Sequence, residues 1–290
     1  MADRRTTVVM ITRDRVAEAT RALATLARLP EQPPAVVVDN GSPDGTAASL
    51  QGEHPDVELI ALPHNLGAAG RTLGVRAAAS PYVAFCDDDT SWEPGALARA
   101  ADLLDAHPTV AVVAAHVLVG DDGRDDPVCR EMADSPLPRV PELPGVPILG
   151  FLAGMSVVRR DAYLSVGGFL LRDGVGGEEA WLAADLASAG WHLIYVPDVV
   201  ARHLPSLRRD TVRRRRVDVR NALWFTWSRR RPRVAAQRTM ALLRAAWRDR
   251  DELAGVVDAL RGIAWVRRHR RPLAPVVETG LRQLDAAGHR

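Results

Sequence analysis

Short apolar runs that alternate with helical segments constrain the fold of this chain more than any other feature of its sequence. Four such runs lie in the first third of the chain, and each is short enough to be a buried strand. Near-continuous apolar strands that alternate with helices are typical of a parallel sheet covered on both faces. The predicted strands are 6–11, 35–39, 57–62 and 82–86.

The segments between these strands predict helices and turns. Apolar residues at helical spacing predict a helix over 16–30, and a Gly-rich loop within 65–79 leads into another helix. After the fourth strand, Ser91 is predicted to cap a helix that has Pro94 in its first turn. Further along, the predictions are strands over 110–120 and 192–198, a helix over 178–191 and a loop over 127–147, which carries six prolines.

Composition limits the class of protein. A hydrophobic content of 47% in 290 residues fits a globular protein. The longest uncharged stretch, 143–158, is too short and too rich in Pro and Gly for a transmembrane helix, and the N-terminus has no apolar segment long enough for a signal peptide. Cys86 and Cys129 make no metal-ligand or disulfide pattern. We therefore expect a cytoplasmic location.

Charge is divided unevenly along the chain. Residues 205–290 contain 22 Arg against 8 acidic residues, whereas residues 1–204 contain 16 Arg against 28 acidic residues. This change predicts a boundary near residue 205 and a basic, helical C-terminal extension. A basic tail beside an acidic body indicates either an anionic partner or a tail that docks on the body.

Acidic residues follow two of the predicted strands. Asp39 ends the second strand, and Asp87, Asp88 and Asp89 follow the fourth. Adjacent carboxylates repel one another, and a Mg²⁺ or Mn²⁺ ion bound with few protein ligands plus substrate phosphates would offset that repulsion. The alternative is a solvated loop. Ligands of parallel sheets bind beyond the carboxyl ends of the strands, so one crevice would contain all four carboxylates.

Two further segments suit a nucleotide. Asp39 is well placed to hydrogen-bond a nucleoside base or ribose, although the residues after it also favour a tight turn. In "PHNLGAAGRTLG" (63–74), glycines would let the backbone approach a ligand, and Arg71 would suit a diphosphate. The alternative is a glycine-rich helix start that packs closely on the sheet.

Together these segments resemble the family 2 glycosyltransferases, which have the GT-A fold, a Rossmann-like mixed sheet flanked by helices. The resemblance covers roughly 6–204 and implies one domain over 1–204, with a nucleotide-binding half to about 115 and an acceptor half over 116–204. The motifs that carry it, in chain order, are "ITRDR", "VVVDNGSPDGT", "NLGAAGR", "FCDDD", "GMSVVRRDAYLSVGGF" and "GGEEAWLAADLASAGWHLIYVPD", followed by His203.

The resemblance assigns roles to these residues. It implies that Asp39 reads the base of a nucleotide-sugar and that Asp89 is the direct metal ligand. Asp87 would face the ribose or the waters of the metal, and His203 would add a metal or diphosphate contact. The remaining residues expected at the nucleotide-sugar are Asn65, Gly67, Arg71, Asp88, Ala153 and Gly154.

The resemblance also implies a general base, because the family inverts the anomeric centre in one displacement. Glu179 matches the base position, where the family usually has Asp, and Glu178 is its competitor. The longer side chain shifts the carboxylate by about one methylene. Trp181 replaces an acid common in the family and would wall the acceptor or sugar site. Thr72 stands where members often have Asn.

The expected activity is therefore metal-assisted transfer from a nucleoside-diphosphate sugar to a glycan, lipid-linked or small-molecule acceptor. A nucleotidyltransferase acting on a sugar phosphate is an alternative, although it has no obvious need for Glu179. A nucleic-acid-binding or membrane-surface protein would explain the tail but not the clustered acids, which would repel a polyanion. We therefore expect no nucleic acid partner.

The tail itself has two interpretations. Trp224, Phe225 and Trp227 stand between Arg clusters in 213–233, a pattern of membrane-surface contact that would place the protein at the inner face of the membrane. Alternatively, the tail packs these aromatic rings on the body and leaves its arginines exposed.

Overall fold

The computed structural model describes residues 3–170, 177–205, 211–247 and 249–288, except for the side chains of 211–214. One ten-stranded sheet runs through the body of the protein. Its strands are β1 Thr6–Thr12, β2 Ala35–Asp39, β3 Glu58–Ala61, β4 Tyr82–Asp87, β5 Thr90–Trp92, β6 Val110–Val119, β7 Arg124–Asp125, β8 Val146–Pro147, β9 Ser156–Arg159 and β10 His192–His203.

The order of the strands is β3-β2-β1-β4-β9-β6-β10-β5, with β7 paired to β6 and β8 to β10. The four strands predicted in the first third of the chain are confirmed to within one residue at either end. The edge strand β3 has Glu58 and Ala61 exposed, whereas β1, β2 and β4 are mainly apolar because they are buried within the sheet. In β1, for example, Val8, Val9 and Met10 are 0% exposed.

Helices flank this sheet, and the structure confirms the mixed α/β fold class. Gly74 shows how closely they approach it, because a Cβ atom at this position would lie 2.5 Å from Cγ1 of Val9. The helices of the body are α1 Val16–Leu26, α2 Thr46–Glu53, α3 Gly70–Ala77, α4 Ala96–Ala106, α5 Pro127–Ala133, α6 Arg160–Ser165 and α7 Glu178–Ser188; short 3₁₀ turns span Gly67–Ala69 and Ala153–Met155.

Strand direction brings distant residues to one edge of the sheet. β1, β2 and β4 are parallel. β9 is antiparallel to both β4 and β6, and β10 is parallel to β6, so β6 and β10 run in the same direction as β4. The carboxyl ends of these strands therefore meet at the same edge, with Thr12, Asp39, Asp87 and His203, and β9 begins there at Ser156.

Two local predictions are wrong. Ser91 does not cap a helix: it lies in β5, which pairs antiparallel with β10, and α4 begins only at Ala96 after Gly95 in the left-handed region, with φ of 87°. The segment 127–147 is not all loop. Asp126 accepts a hydrogen bond from Val128 N at 3.0 Å and caps α5, whose first residue is a proline.

The tail is helical, as predicted. Beyond Thr211 its helices pack against one another and against α7 around an apolar cluster that contains Trp181 and Trp224. Within the described ranges, every helix is too short or too polar to span a lipid bilayer. The tail helices are α8 Thr211–Arg229, α9 Pro232–Ala246, α10 Arg250–Arg261, α11 Ile263–Arg268 and α12 Pro275–Ala287.

Packing in the tail engages the aromatic rings of 213–233 that the sequence suggests for membrane contact. Trp224 is 4% exposed and donates its indole N–H to the Ala259 carbonyl oxygen at 3.0 Å. Trp227 donates to Thr239 at 2.8 Å, and Phe225 lies 5.8 Å from the ring of Trp181. Trp224 is therefore buried, and the half-buried Phe225 and Trp227 make contacts within the protein.

The tail also contains buried arginines, contrary to the expectation that its arginines are exposed. Arg230 is 0% exposed and bonds to Glu278 at 3.1 Å and Asp285 at 2.9 Å. Arg229 makes two hydrogen bonds of 2.8 Å to Asp185 of α7, and its guanidinium lies 4.7 Å from the ring centre of Trp181. Part of the basic charge is therefore used to hold the tail together and against the body.

Candidate active site

The carboxylate of Asp87 lies in a tight position at the end of β4. It forms an ion pair with Arg71, whose side chain is 4% exposed at the start of α3. On its other side is the turn Ala153–Met155, where a Cβ atom on Gly154 would lie 2.5 Å from Oδ2 of Asp87. A larger residue at 154 would therefore have to displace the carboxylate of Asp87 from this position.

The same turn receives Glu179. Its Oε1 atom accepts a hydrogen bond from the Ala153 backbone N–H at 3.4 Å. Glu179 can reach this turn because α7 starts one residue earlier, directly after Gly177 in the left-handed region, with φ of 73°. The predicted residues Arg71, Asp87, Ala153, Gly154 and Glu179 thus form one cluster, although they come from four separate segments of the chain.

Glu179 is poised to exchange a proton near neutral pH. Burial raises the pKa of Glu179 to about 7, and the neighbouring charge of Glu178 raises it as well, while hydrogen bonding and Arg71 act in the opposite direction. A carboxyl group whose pKa lies near the working pH suits general acid–base catalysis.

Asp88, the middle one of the three consecutive aspartates, is bonded to the end of β1 and to the loop between β1 and α1. Asp88 is 8% exposed; its carboxylate accepts a hydrogen bond from Thr12 Oγ1 at 2.9 Å and another from Arg15 at 2.9 Å. Burial raises the pKa of Asp88 to about 6, against the lowering effect of Arg15. Asp88 therefore joins two strand ends, which is a structural function beside the nucleotide contact that the sequence predicts.

Asp89 and His203 are brought together across the edge of the sheet. The Oδ2 atom of Asp89 lies 3.8 Å from Nε2 of His203, and the same oxygen is 3.8 Å from Nη1 of Arg15. The backbone N–H of Leu204 donates to the Asp89 carbonyl oxygen at 2.8 Å and fixes the two segments. The predicted pair of metal-site residues is thus adjacent in space although 114 positions separate them in the chain.

This pair fits a divalent cation that has few protein ligands. The separation of 3.8 Å is within twice the roughly 2.1 Å that Mg²⁺ keeps from its ligands. Among the described residues there is no group of three or more His, Cys, Asp or Glu side chains that would enclose an ion without further ligands. An ion held here would depend on phosphate and water oxygens for the rest of its shell, as Mg²⁺ usually does.

Asp39 is held by the turn that follows β2. It is 2% exposed and accepts hydrogen bonds from the hydroxyl of Ser42 and from its backbone N–H, the latter at 3.2 Å. Ser42 Oγ also accepts from the Asp14 backbone N–H at 2.9 Å. Asp14 has a φ of 55°, in the left-handed region, so this contact fixes an unusual backbone conformation of the β1–α1 loop beside Asp39.

The glycine-rich loop is fastened to β2 by Asn40. Its amide donates to the Gly67 carbonyl oxygen at 2.9 Å and accepts from Leu66 N at 2.8 Å. Asn65 accepts from Gly67 N at 2.7 Å, and Gly67 has a φ of 59°. Asn65 and Gly67 therefore shape the backbone of the loop that the sequence assigns to the nucleotide-sugar.

Thr72 and Trp181, the two residues that depart from the family pattern, are both buried. Thr72 is buried, with its hydroxyl 2.8 Å from Tyr163 OH, and accepts from Phe169 N at 3.1 Å. Trp181 is 6% exposed, and its ring lies 5.7 Å from that of Trp265. The expectation that Trp181 walls the acceptor site is therefore corrected, because the tail covers its ring.

Sequence reasoning missed the residues that hold the site residues in place. Thr12 and Arg15 fix Asp88, Ser42 fixes Asp39, and Tyr163 ties α6 to α3 through Thr72. The position of Thr12 and Arg15 immediately after β1 would have been a usable signal. Nothing in the pattern around Tyr163 predicts its contact, which spans 91 positions.

Comparison with known proteins places the chain in a family. The model described as "Glycosyl transferase family 2" matches residues 7–167. N-acetylglucosaminyl-diphospho-decaprenol L-rhamnosyltransferase of Mycobacterium tuberculosis is 32% identical over 218 residues, which cover 63% of this chain and 70% of that protein. Pre-mycofactocin glycosyltransferase of the same species is 32% identical over 181 residues, or 58% of this chain and 37% of that protein.

Solved structures show the fold. A mannosyltransferase from Pyrobaculum calidifontis in complex with GDP-Man and Mn²⁺ superposes with a TM-score of 0.55 over 99% of this chain and 77% of its own, at 20% identity. At that identity the likeness shows architecture alone, and the architecture is GT-A. The chain belongs to glycosyl transferase family 2.

Proposed function

We propose that this glycosyltransferase moves a sugar from a nucleoside-diphosphate sugar to an acceptor hydroxyl with inversion, using Glu179 as the general base. The observation that carries the proposal is the cluster in which Arg71, Asp87, Ala153, Gly154 and Glu179 meet. In this cluster the guanidinium of Arg71, which suits phosphate, lies near the carboxyl group of Glu179, whose pKa is about 7.

Arg71 is the residue best suited to the diphosphate. Its Nε and Nη1 atoms are buried and have no hydrogen-bond partner among the described residues, while its remaining nitrogen pairs with Asp87. Buried polar groups are costly unless they are bonded. Two oxygens of a diphosphate would satisfy both atoms, and Asp39 would hold the base or ribose at the next strand end.

The chemical step forms one bond and breaks one. The acceptor oxygen attacks the anomeric carbon while the bond from that carbon to the diphosphate oxygen breaks, and the bonding electrons leave with the diphosphate. Glu179 takes the proton of the acceptor hydroxyl. Attack opposite to the leaving group inverts the configuration of the anomeric carbon.

Asp89 and His203 are the residues we assign to a Mg²⁺ or Mn²⁺ ion. Such an ion, when bound, supplies Lewis-acid stabilisation of the negative charge that develops on the diphosphate. Asp87, which pairs with Arg71, lies two residues before Asp89 in the sequence.

Replacement of Asp89 tests the metal assignment. We expect Asp89→Ala to weaken Mn²⁺-dependent donor binding by about 10- to 100-fold, because it removes one of two protein ligands. Titration calorimetry with nucleotide-sugars, with and without Mn²⁺, measures this. Asp161→Ala, which removes a carboxylate that is 92% exposed, is the control. An Asp89→Ala protein that still responds to Mn²⁺ as the wild type does would refute the assignment.

Donor and acceptor are open to direct tests. A thermal-shift screen of nucleotide-sugars with Mn²⁺ identifies the donor, since a ligand at 100 times its Kd stabilises the folded state by about 2.7 kcal/mol.

We propose a glycan or lipid-linked acceptor of the cell envelope, in keeping with the name of the rhamnosyltransferase relative. Release of nucleoside diphosphate supports glycosyl transfer, whereas release of pyrophosphate would indicate a nucleotidyltransferase.

The proton-transfer assignment predicts a pH profile. The base must be ionised, so kcat/KM should rise with pH along a limb whose midpoint is near 7, the pKa of Glu179. Glu178→Gln removes a like charge that raises this pKa, so we expect its limb to move to lower pH. Initial rates from pH 5 to 9 measure both profiles. A limb that stays in place, or moves up, in Glu178→Gln would contradict the assignment.

A further inference from the structure

The C-terminal helices carry an exposed apolar surface that packing does not explain. All the exposed large hydrophobic side chains of the described residues lie between 204 and 276. Three of them cluster in sequence on α10 and α11, where Val257 is 47%, Leu260 57% and Ile263 40% exposed. Trp247, only three positions before α10, is 78% exposed. Large side chains in such a group usually mark a contact surface.

Helical periodicity places part of this group on one side of α10. Val257, Leu260 and Arg261 are related by steps of three and four residues and therefore share a face. The opposite side of the helix packs on α8. A Cβ atom on Gly255 would lie 2.4 Å from the Arg216 carbonyl oxygen, and Ala259 is 0% exposed. The outer side is thus left to solvent in the isolated chain.

Exposed arginines flank these apolar side chains, and the nearby acids are paired with arginines. Asp258 is bonded to Arg216 of α8 at 2.5 Å and to Arg261 at 3.0 Å, and Asp249 is bonded to Arg215 at 3.0 Å. The segment 259–277 itself contains five arginines and no acidic residue, so this surface keeps a positive excess. We define it as the α10–α11 face, made of Val257, Leu260 and Ile263 with the exposed Arg261, Arg267 and Arg268.

We propose that the α10–α11 face docks on an anionic phospholipid bilayer. Apolar side chains flanked by arginines suit the boundary between headgroups and acyl chains, and arginine is attracted to lipid phosphates. A second copy of the chain would bring the same positive excess against this one. A nucleic acid would use the arginines but leave Val257 and Leu260 without a function. This surface is distinct from the aromatic residues of 213–233, which are engaged inside the protein.

Sedimentation of the full-length chain with vesicles tests the proposal. Vesicles of phosphatidylglycerol and phosphatidylcholine should bind the chain at low salt and release it as salt rises, and vesicles of phosphatidylcholine alone should bind at least about 10-fold more weakly. Val257→Ser/Leu260→Ser should weaken binding by about 10-fold or more, since both side chains lose their apolar contact. Its unfolding temperature should match that of the wild type because both positions are exposed.

A matched pair of charge variants separates this face from general basicity. Arg267→Gln/Arg268→Gln should weaken binding by roughly 30-fold, whereas Arg28→Gln/Arg124→Gln, with the same change in net charge on the body, should change it less than about 3-fold. Three outcomes would overturn the proposal: no binding at low salt, equal losses in the two charge variants, or unaltered binding by Val257→Ser/Leu260→Ser. Concentration-dependent dimers that this last variant abolishes, without vesicle binding, would assign the face to a second copy instead.

Discussion

Glu179→Gln is expected to lower turnover by roughly 10²- to 10⁴-fold, the usual contribution of a general base. Glutamine keeps the size of the side chain, and its amide oxygen can still accept the hydrogen bond from Ala153 N. It cannot take up the proton of the acceptor hydroxyl. Donor affinity should change little, because the lost function concerns the acceptor. Steady-state kinetics with the identified donor, combined with calorimetry of donor binding, measures the two effects separately.

Glu178→Gln is the matched control, one position earlier on the same helix. It should reduce turnover far less and should shift the pH limb, as argued above. The product from an α-linked donor should be β-linked, and anomeric NMR signals distinguish the two configurations. Retention of configuration would contradict the single displacement. A greater loss in Glu178→Gln than in Glu179→Gln would move the base by one residue and leave the donor site as proposed.

Arg229→Met is expected to destabilise the protein by about 3–5 kcal/mol. Its side chain is 3% exposed and that of Asp185 is 11% exposed, so removal of the cation leaves a carboxylate uncompensated in a poorly solvated position. The same change removes a guanidinium packed over Trp181. Chemical denaturation followed by tryptophan fluorescence measures the free energy of unfolding.

A double variant separates two contributions to the free energy of unfolding: the penalty for leaving Asp185 buried without its cation, and the net stabilisation by the Arg229–Asp185 pair. Arg229→Met/Asp185→Leu should recover most of the loss, because apolar replacement of both partners in a buried ion pair is often neutral. Arg99→Met breaks a pair whose side chains are 45% and 55% exposed and should change stability by less than about 1 kcal/mol. Similar losses in Arg229→Met and Arg99→Met would mean that the buried pair does not hold the tail to the body.

The parts of the fold that sequence predicted well depend on local pattern. Apolar runs such as 82–86 identify buried strands because burial on both faces demands apolar side chains throughout. Thr90–Trp92 was missed because three residues carry no periodicity, and only pairing with the distant β10 makes them a strand. α5 was missed because the prolines outweighed the Asp-Pro start, which is itself a helix N-terminal pattern.

In the candidate site, too, local motifs were predicted from the sequence, whereas contacts between distant segments were not. Motif order located Arg71, Asp87 and Glu179, since each lies in a short segment with its own composition. It could not show that Trp181 faces the tail, because a tryptophan near a predicted site looks the same whether a ligand or another helix covers it. Its partners come from α8 and α11, whose packing depends on contacts between residues 44 to 84 positions apart.

The contacts that Arg229 and Trp265 make with α7 have a consequence for the order in which the protein folds during synthesis. The helix that presents Glu179 emerges from the ribosome well before its partners, because Arg229 and Trp265 follow Asp185 by 44 and 80 residues. At 5–20 residues per second, synthesis of the 80 residues between Asp185 and Trp265 takes about 4–16 s. The sheet can be complete during this time while the indole of Trp181 is still uncovered. A nascent chain therefore completes the sheet edge with Asp39 and Asp87 first and the supported position of Glu179 last. A chain released early would keep the indole of Trp181 in water.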